Sequence, residues 1–189
     1  MSDLKGKTVG ILVEDQYQDQ EVWYPYYRLL EAGARVVIIG TQRATSFKSK
    51  HGYPIDADMT AAKADPKTFN GLIVPGGFAP DFMRRDPAMA QLVRSVYDQG
   101  GIVAAICHGP WLLCSAKLLQ GKTITSFFAI RDDVEHAGST WVNKEVVRDG
   151  QLITSRKPED LPAFMKTILE ALAEPRPAQR KGTKVATVS

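Results

Sequence analysis

Apolar runs of four to six residues recur along the chain, each bounded by charged or turn-forming residues. Residues 9–13 (VGILV), 35–40 (RVVIIG), 71–77 (GLIVPGG) and 102–106 (IVAAI) carry no charge between their ends. Continuous runs of this kind predict strands buried on both faces. The segments between them change period. Val22, Tyr26, Leu29 and Leu30 recur at three and four spacing up to Gly33. They predict a helix with Asp19 as N-cap and Gly33 as its stop. Pro25 falls inside that pattern and predicts a bend or a boundary. Residues 86–101 (DPAMAQLVRSVYDQGG) predict an amphipathic helix with an Asp-Pro start and a Gly-Gly end. Residues 110–119 (PWLLCSAKLL) and 159–172 (EDLPAFMKTILEAL) predict two more helices, with Pro110 and Pro162 near their first turns. Residues 122–126 (KTITS) and 145–155 (EVVRDGQLITS) predict later strands, the second a hairpin turning at Asp149-Gly150. Residues 44–60 lie between units as a small hairpin or loop.

Strand, helix and strand within about 35 residues is a βαβ unit. Its repetition predicts an α/β chain with a mostly parallel central sheet. No internal repeat or linker interrupts it. The expected organisation is a single domain over residues 1–173, long enough to bury its own core, and a basic, disordered tail over 174–189.

Charge looks informative until it is located. The net charge is +3, and the tail holds Arg176, Arg180, Lys181 and Lys184 against Glu174 alone. The body is therefore neutral, and a solvated tail is expected rather than a nucleic-acid surface. Two cysteines seven positions apart make no disulfide framework. No secretory pattern opens the chain, and no apolar run approaches the roughly 18 residues of a membrane span. A cytoplasmic protein with no membrane partner is the expectation.

In an open α/β sheet, sites gather at the carboxyl ends of the strands. Three stretches reach that edge: "EDQYQDQE", "PGGFAPD" and "CHGP". Cys107 stands between a predicted strand and a predicted helix, followed by Gly109 and Pro110. That is the layout of a nucleophile elbow, and the free N–H groups of a helix start lower a thiol's pKa. A small residue packed in an Ala-rich strand fits the same stretch, and the stretch alone leaves both open. Cys114, among Leu112, Leu113 and Leu118, is expected in the core. His108 is placed to act as base for Cys107, given a carboxylate to orient it. Alternatively, it caps the turn. His51 and His136 show no partner and are expected on the surface. Gly76, Gly77 and the His108 backbone are candidates for an oxyanion hole. The first loop has no glycine and carries Glu14, Asp15, Asp19 and Glu21, which makes it a poor phosphate cradle. Neither a cofactor nor a metal is expected.

The stretches "DQEVWYPYYRLLEAG", "HGYPIDAD", "LIVPGGFAPDFMR", "AAICHGPWLL", "IRDDVEHAGSTWVNKEVV" and "DGQLITSRKPEDL" resemble the PfpI (intracellular protease I) type of the DJ-1/PfpI superfamily. The resemblance runs from about residue 7 to residue 172. It implies a three-layer, flavodoxin-like sandwich with helices on both faces of the sheet, related to class I glutamine amidotransferases. It also implies a homodimer or higher assembly. Cys107 matches the elbow cysteine, His108 its neighbour and Glu21 the buried acid that touches the cysteine. Gly76, Gly77 and His108 match the oxyanion positions. Asp81 stands where the family has a Glu that orients the histidine from a neighbouring subunit. The separate His-x-Glu pair of the amidotransferases is missing. The implied function is a cysteine-dependent stress-response enzyme acting on small reactive carbonyls or glycated adducts, with peptidase activity as the nearest enzymatic alternative. A redox-sensing or chaperone-like protein, its cysteine oxidised without turnover, is the alternative outside enzymology.

Overall fold

The computed structural model describes residues 3–175; the basic residues expected in a disordered tail, Arg176 to Lys184, lie outside them. The chain begins β1 (Thr8–Leu12), α1 (Asp19–Glu31), β2 (Arg35–Gly40). A small antiparallel hairpin follows, β3 (Ser46–Lys48) and β4 (Pro54–Asp56), then a two-residue β5 (Met59–Thr60). Next come β6 (Gly71–Val74), α2 (Ala79–Met83), α3 (Pro87–Asp98), β7 (Ile102–Ile106) and α4 (Pro110–Ser115). The chain closes with β8 (Thr123–Ile124), α5 (Arg131–His136), β9 (Thr140–Trp141), β10 (Val146–Asp149), β11 (Leu152–Ser155) and α6 (Leu161–Ala173).

Seven strands form one sheet in the order β10-β11-β7-β6-β1-β2-β5. Every neighbouring pair is parallel except β10 with β11. The apolar runs explain this. Strands β6, β7 and β11 are buried at every position, which requires helices on both faces. Helices α1 and α6 pack together on one face, and α3 and α4 cover the other. The result is the expected three-layer, flavodoxin-like sandwich. No helix among the described residues is long and apolar enough to cross a membrane.

Several boundaries moved. The α1 cap is Gln18, whose side chain accepts from the Gln20 N–H, while Asp19 lies one residue inside and takes the His51 ring instead. Helix α1 runs unbroken through Pro25. A proline there removes the donor for the Glu21 carbonyl but leaves the flanking turns intact. Helix α4 ends at Ser115 because Lys117 turns left-handed, with φ 55°. Residues 122–126 yield only β8, which pairs with β9 in a separate two-stranded ribbon rather than joining the main sheet. Residues 44–60 do form a hairpin, and β5 then extends the sheet edge beside β2.

The chain leaves β1 toward β2 on one side and later places β6 on the other side of β1. That reversal opens a crevice beyond the carboxyl ends of β1 and β6, where ligands bind in such sheets. The loops after β1, β6 and β7 all reach it.

Candidate active site

Cys107 is the residue after β7, and its φ is 61°. A non-glycine side chain in this left-handed region is strained, by about 1–3 kcal/mol, and persists only where the surroundings enforce it. They do. The Cys107 N–H donates to Ser155 O at 3.1 Å, and its carbonyl accepts from the Phe127 N–H at 3.0 Å. The Gly109 N–H turns back to Ile106 O at 2.8 Å, and Pro110 starts α4. The strand therefore stops sharply and lifts the cysteine to the crevice. Its exposure is 8%, enough for a small reagent and too little for a surface thiol.

His108 lies beside it. The ring Nδ1 is 3.2 Å from Cys107 Sγ. Phe127 stacks on the imidazole at 5.0 Å between centroids, and the Trp111 ring meets it edge-on at 5.1 Å. Trp111 is itself held by an indole bond to Asp133 at 2.8 Å. The sulfur and two rings thus fix the imidazole, a role for Phe127 and Trp111 that no sequence pattern indicated.

Glu21 comes from the buried face of α1 and is fully buried. Its Oε2 accepts the Gly76 N–H at 2.6 Å. Oε1 has no hydrogen-bond partner among the described residues, and the carboxyl lies against the Cys107 thiol. Gly76 is the contact point between the two. A Cβ there would sit 2.7 Å from Cys107 Cβ and 2.8 Å from Glu21 Oε2. Gly77 adopts φ 70°, and a Cβ there would run into Gln16 O and lie 2.7 Å from Gln18 N. Bonds from the Gln18 N–H to Gly76 O and from the Phe78 N–H to Gln16 O tie this turn to the first loop.

The three expected oxyanion positions therefore divide. Gly76 uses its N–H on Glu21. The N–H groups of Gly77 and His108 remain aimed at the sulfur, where both favour its charged form.

The electrostatics of the elbow oppose one another. Burial and then the neighbouring Glu21 charge push Cys107 up to about 12, against the partial relief from the two N–H groups. Helix α4 is six residues long, and its start does not outweigh those two effects. Burial also pushes Glu21 up to about 7 and holds His108 below its ordinary value. Burial thus favours the uncharged form of the thiol and of the imidazole alike.

Other candidates separate cleanly. Cys114 is half-buried at the edge of the core rather than inside it, and both cysteines are free. His51 is exposed and bonds Asp19 at 2.7 Å, a partner the sequence did not show. His136 bonds the Asp132 carbonyl at 2.7 Å. Asp81 lies in the first turn of α2 and pairs with Arg85, two residues past the end of that helix. Within the chain it does not meet His108.

Comparison with known proteins places this arrangement. Residues 7–171 match the DJ-1/PfpI family. A deglycase of Pyrococcus horikoshii is 41% identical over 164 residues, covering 87% of this chain and 98% of that protein. The protein/nucleic acid deglycase 2 of Escherichia coli is 37% identical over 168 residues, covering 88% of this chain and 98% of that one. A crystal structure from Anabaena variabilis, a two-domain protein with DJ-1/ThiJ/PfpI-like and ferritin-like domains, is 39% identical with a TM-score of 0.86. The match covers 94% of this chain and 52% of that one, so this chain spans about half of the two-domain protein.

Proposed function

The chain belongs to the DJ-1/PfpI family, and on that premise we propose that it is a cysteine-dependent deglycase, an enzyme acting on reactive carbonyls and their adducts. The observation that carries this is the strained elbow, with Cys107 Sγ 3.2 Å from His108 Nδ1 and two backbone donors facing the sulfur. Every part has a use in carbonyl chemistry. His108 is neutral and takes the thiol proton as the sulfur adds to the aldehyde carbon. The new C–S bond pushes the carbonyl electron pair onto oxygen. The Gly77 and His108 N–H groups receive that oxyanion. Return of the proton from the imidazole gives a hemithioacetal. On an adduct the carbon bearing the amine or thiol is saturated, so the sulfur displaces that group. The C–S bond forms as the bond to the leaving group breaks, and the leaving group departs with the imidazole's proton. Collapse of the enzyme hemithioacetal then frees the aldehyde, while its hydroxyl proton passes back to the Cys107 sulfur. Glu21, its carboxyl pushed up to about 7, is the second group able to carry a proton beside the sulfur.

A buried thiol with a raised pKa needs its base at the moment of attack, so the reading requires both residues. Release of free thiol from a methylglyoxal adduct of N-acetylcysteine tests it. Cys107→Ala and His108→Ala should each lose that activity, and a Cys107→Ala variant as fast as the wild type refutes the reading. The reading also includes a homodimer or higher assembly in which Asp81 of a second copy approaches the free side of the His108 ring. Two free cysteines fit a reducing compartment, the cytoplasm.

A further inference from the structure

Among the described residues, three other than glycine have a left-handed backbone: Gln16 at φ 67°, Cys107 at φ 61° and Lys117 at φ 55°. Two of them have a use already. Cys107 is the elbow, and Lys117 ends α4. Gln16 lies in the loop after β1 and is exposed. A solvated glutamine does not ask for this conformation, and such strain persists only where the surroundings enforce it.

The surroundings are the β3–β4 hairpin on one side and the Gly76-Gly77 turn on the other. On the hairpin side, the Gln16 N–H donates to Lys48 O at 2.7 Å, and Tyr17 O accepts the Lys50 N–H at 3.0 Å. The Lys48 N–H donates to Asp15 Oδ1 at 2.8 Å. Tyr17 is fully buried, and its hydroxyl donates to Tyr53 O at 2.8 Å. On the turn side, Gln16 O accepts the Phe78 N–H at 3.0 Å, and the Gln18 N–H donates to Gly76 O at 3.3 Å.

Gln16 thus bonds the hairpin with its N–H and the turn with its carbonyl. An extended residue sends both groups to the same neighbour. The left-handed turn is what swings the carbonyl to the opposite side. Its effect reaches the reacting sulfur through two peptide units. Gln16 holds the one that follows Gly77, and Gln18 holds the one that joins Gly76 to Gly77. In that second unit, which is planar and trans, the oxygen and the N–H point in opposite directions. With Gly76 O tied to the first loop, the Gly77 N–H faces away from it, toward Cys107.

We propose that Gln16 is a positioning residue for the reaction: its left-handed backbone passes the hold of the β3–β4 hairpin to the glycine turn and keeps the Gly77 N–H on the Cys107 sulfur. The hairpin is then part of the scaffold of the site. The proposal rests on the reaction proposed at Cys107 and deepens it.

The test is a series at position 16. Glycine and asparagine accept a left-handed backbone, and β-branched residues resist it. On the methylglyoxal–N-acetylcysteine adduct, Gln16→Thr and Gln16→Val should lower kcat about tenfold with KM little changed. Gln16→Gly and Gln16→Asn should stay within about twofold of wild type. Alkylation by iodoacetamide at one fixed pH gives a second reading, independent of turnover. The Gly77 N–H favours the charged sulfur, so the Thr and Val variants should react about threefold more slowly. A loosened structure does the opposite, because opening exposes the thiol. Thermal melts establish that each variant is folded at the assay temperature, and if Val is not, Thr against Gly carries the comparison. Wild-type kcat and alkylation in folded Gln16→Thr overturn the proposal and leave the Cys107 reaction standing. Equal losses in the Gly and Asn variants assign the effect to the side chain and overturn it, as does faster alkylation of the Thr and Val variants. No turnover by the wild type overturns the reaction itself, and the alkylation series then decides the role of Gln16.

Discussion

Cys107 is raised to the crevice by its elbow, while burial and then the Glu21 charge both favour the protonated sulfur. Glu21 is the controlling neighbour, and its effects have definite signs. Glu21→Gln removes the negative charge beside the sulfur, so the Cys107 pKa should fall by about one unit or more. The pH dependence of alkylation by iodoacetamide reads this directly, and an unmoved midpoint contradicts it. Stability should shift as well. The Glu21 carboxyl rises from an ordinary 4.5 to about 7 on folding. The folded state therefore binds more protons than the unfolded one between those values, and stability drops as pH rises through that window. The drop is roughly 3 kcal/mol for a fully buried carboxyl with such a shift. Glu21→Gln should abolish it, leaving the variant equal to wild type below pH 4.5 and more stable above pH 7. Thermal melts across that range check the sign. The sequence showed Cys107, His108 and Glu21 as separate candidates, joined only by resemblance. It could not show the charge state of the thiol, because the group that sets it lies 86 positions away along the chain.

At the scale of elements, the site is three loops bolted together at the carboxyl edge of the sheet. The Gly76-Gly77 turn holds the arrangement, since it contacts the first loop, Glu21 and the elbow at once. Gly77→Ala should cost about 2 kcal/mol or more, from the left-handed backbone and the clash with Gln16. It should also lower kcat about a hundredfold, because the Gly77 donor moves away from the sulfur. Gly121 provides the contrast: it has the same φ of 70° with nothing within 4 Å of its missing Cβ. Gly121→Ala should cost only the backbone term, about 1 kcal/mol, and keep kcat. Equal losses in both variants would mean that the turn has no special link to the site. The long elements were legible because their periodicity was strong: β1, β2, β7 and α6 fall within two residues of expectation, and α3 within three. Helices α2 and α5, of five and six residues, are too short to show a period. Phe127 and Trp111 were invisible for different reasons. Phe127 reaches His108 through the folding of the segment after α4, which no local pattern encodes, and Trp111 reads as an ordinary first-turn position of α4 until the elbow sets the imidazole beside it.

Across the whole molecule, sheet order decides where chemistry is possible. The reversal at β1 and β6 gathers the acid, the glycine turn and the cysteine from three separate loops. The same order leaves α1 and α6 side by side on one face of the sheet. Asp81 lies in the first turn of α2 and pairs with Arg85. On the proposed assembly, light scattering should find a dimer or larger species, and Asp81→Asn should lower the pKa seen for His108 in the pH–rate profile by removing a nearby anion. A strict monomer at working concentration contradicts the shared site. The central claim concerns one sulfur atom, and one comparison reaches it most directly. Turnover of a methylglyoxal–N-acetylcysteine adduct is measured side by side for wild type, Cys107→Ala and Cys114→Ala. The account predicts a loss of about a thousandfold or more in kcat/KM for Cys107→Ala and a value within about twofold of wild type for Cys114→Ala, whose thiol lies outside the elbow. Wild-type turnover by Cys107→Ala, or equal losses in the two variants, contradicts it.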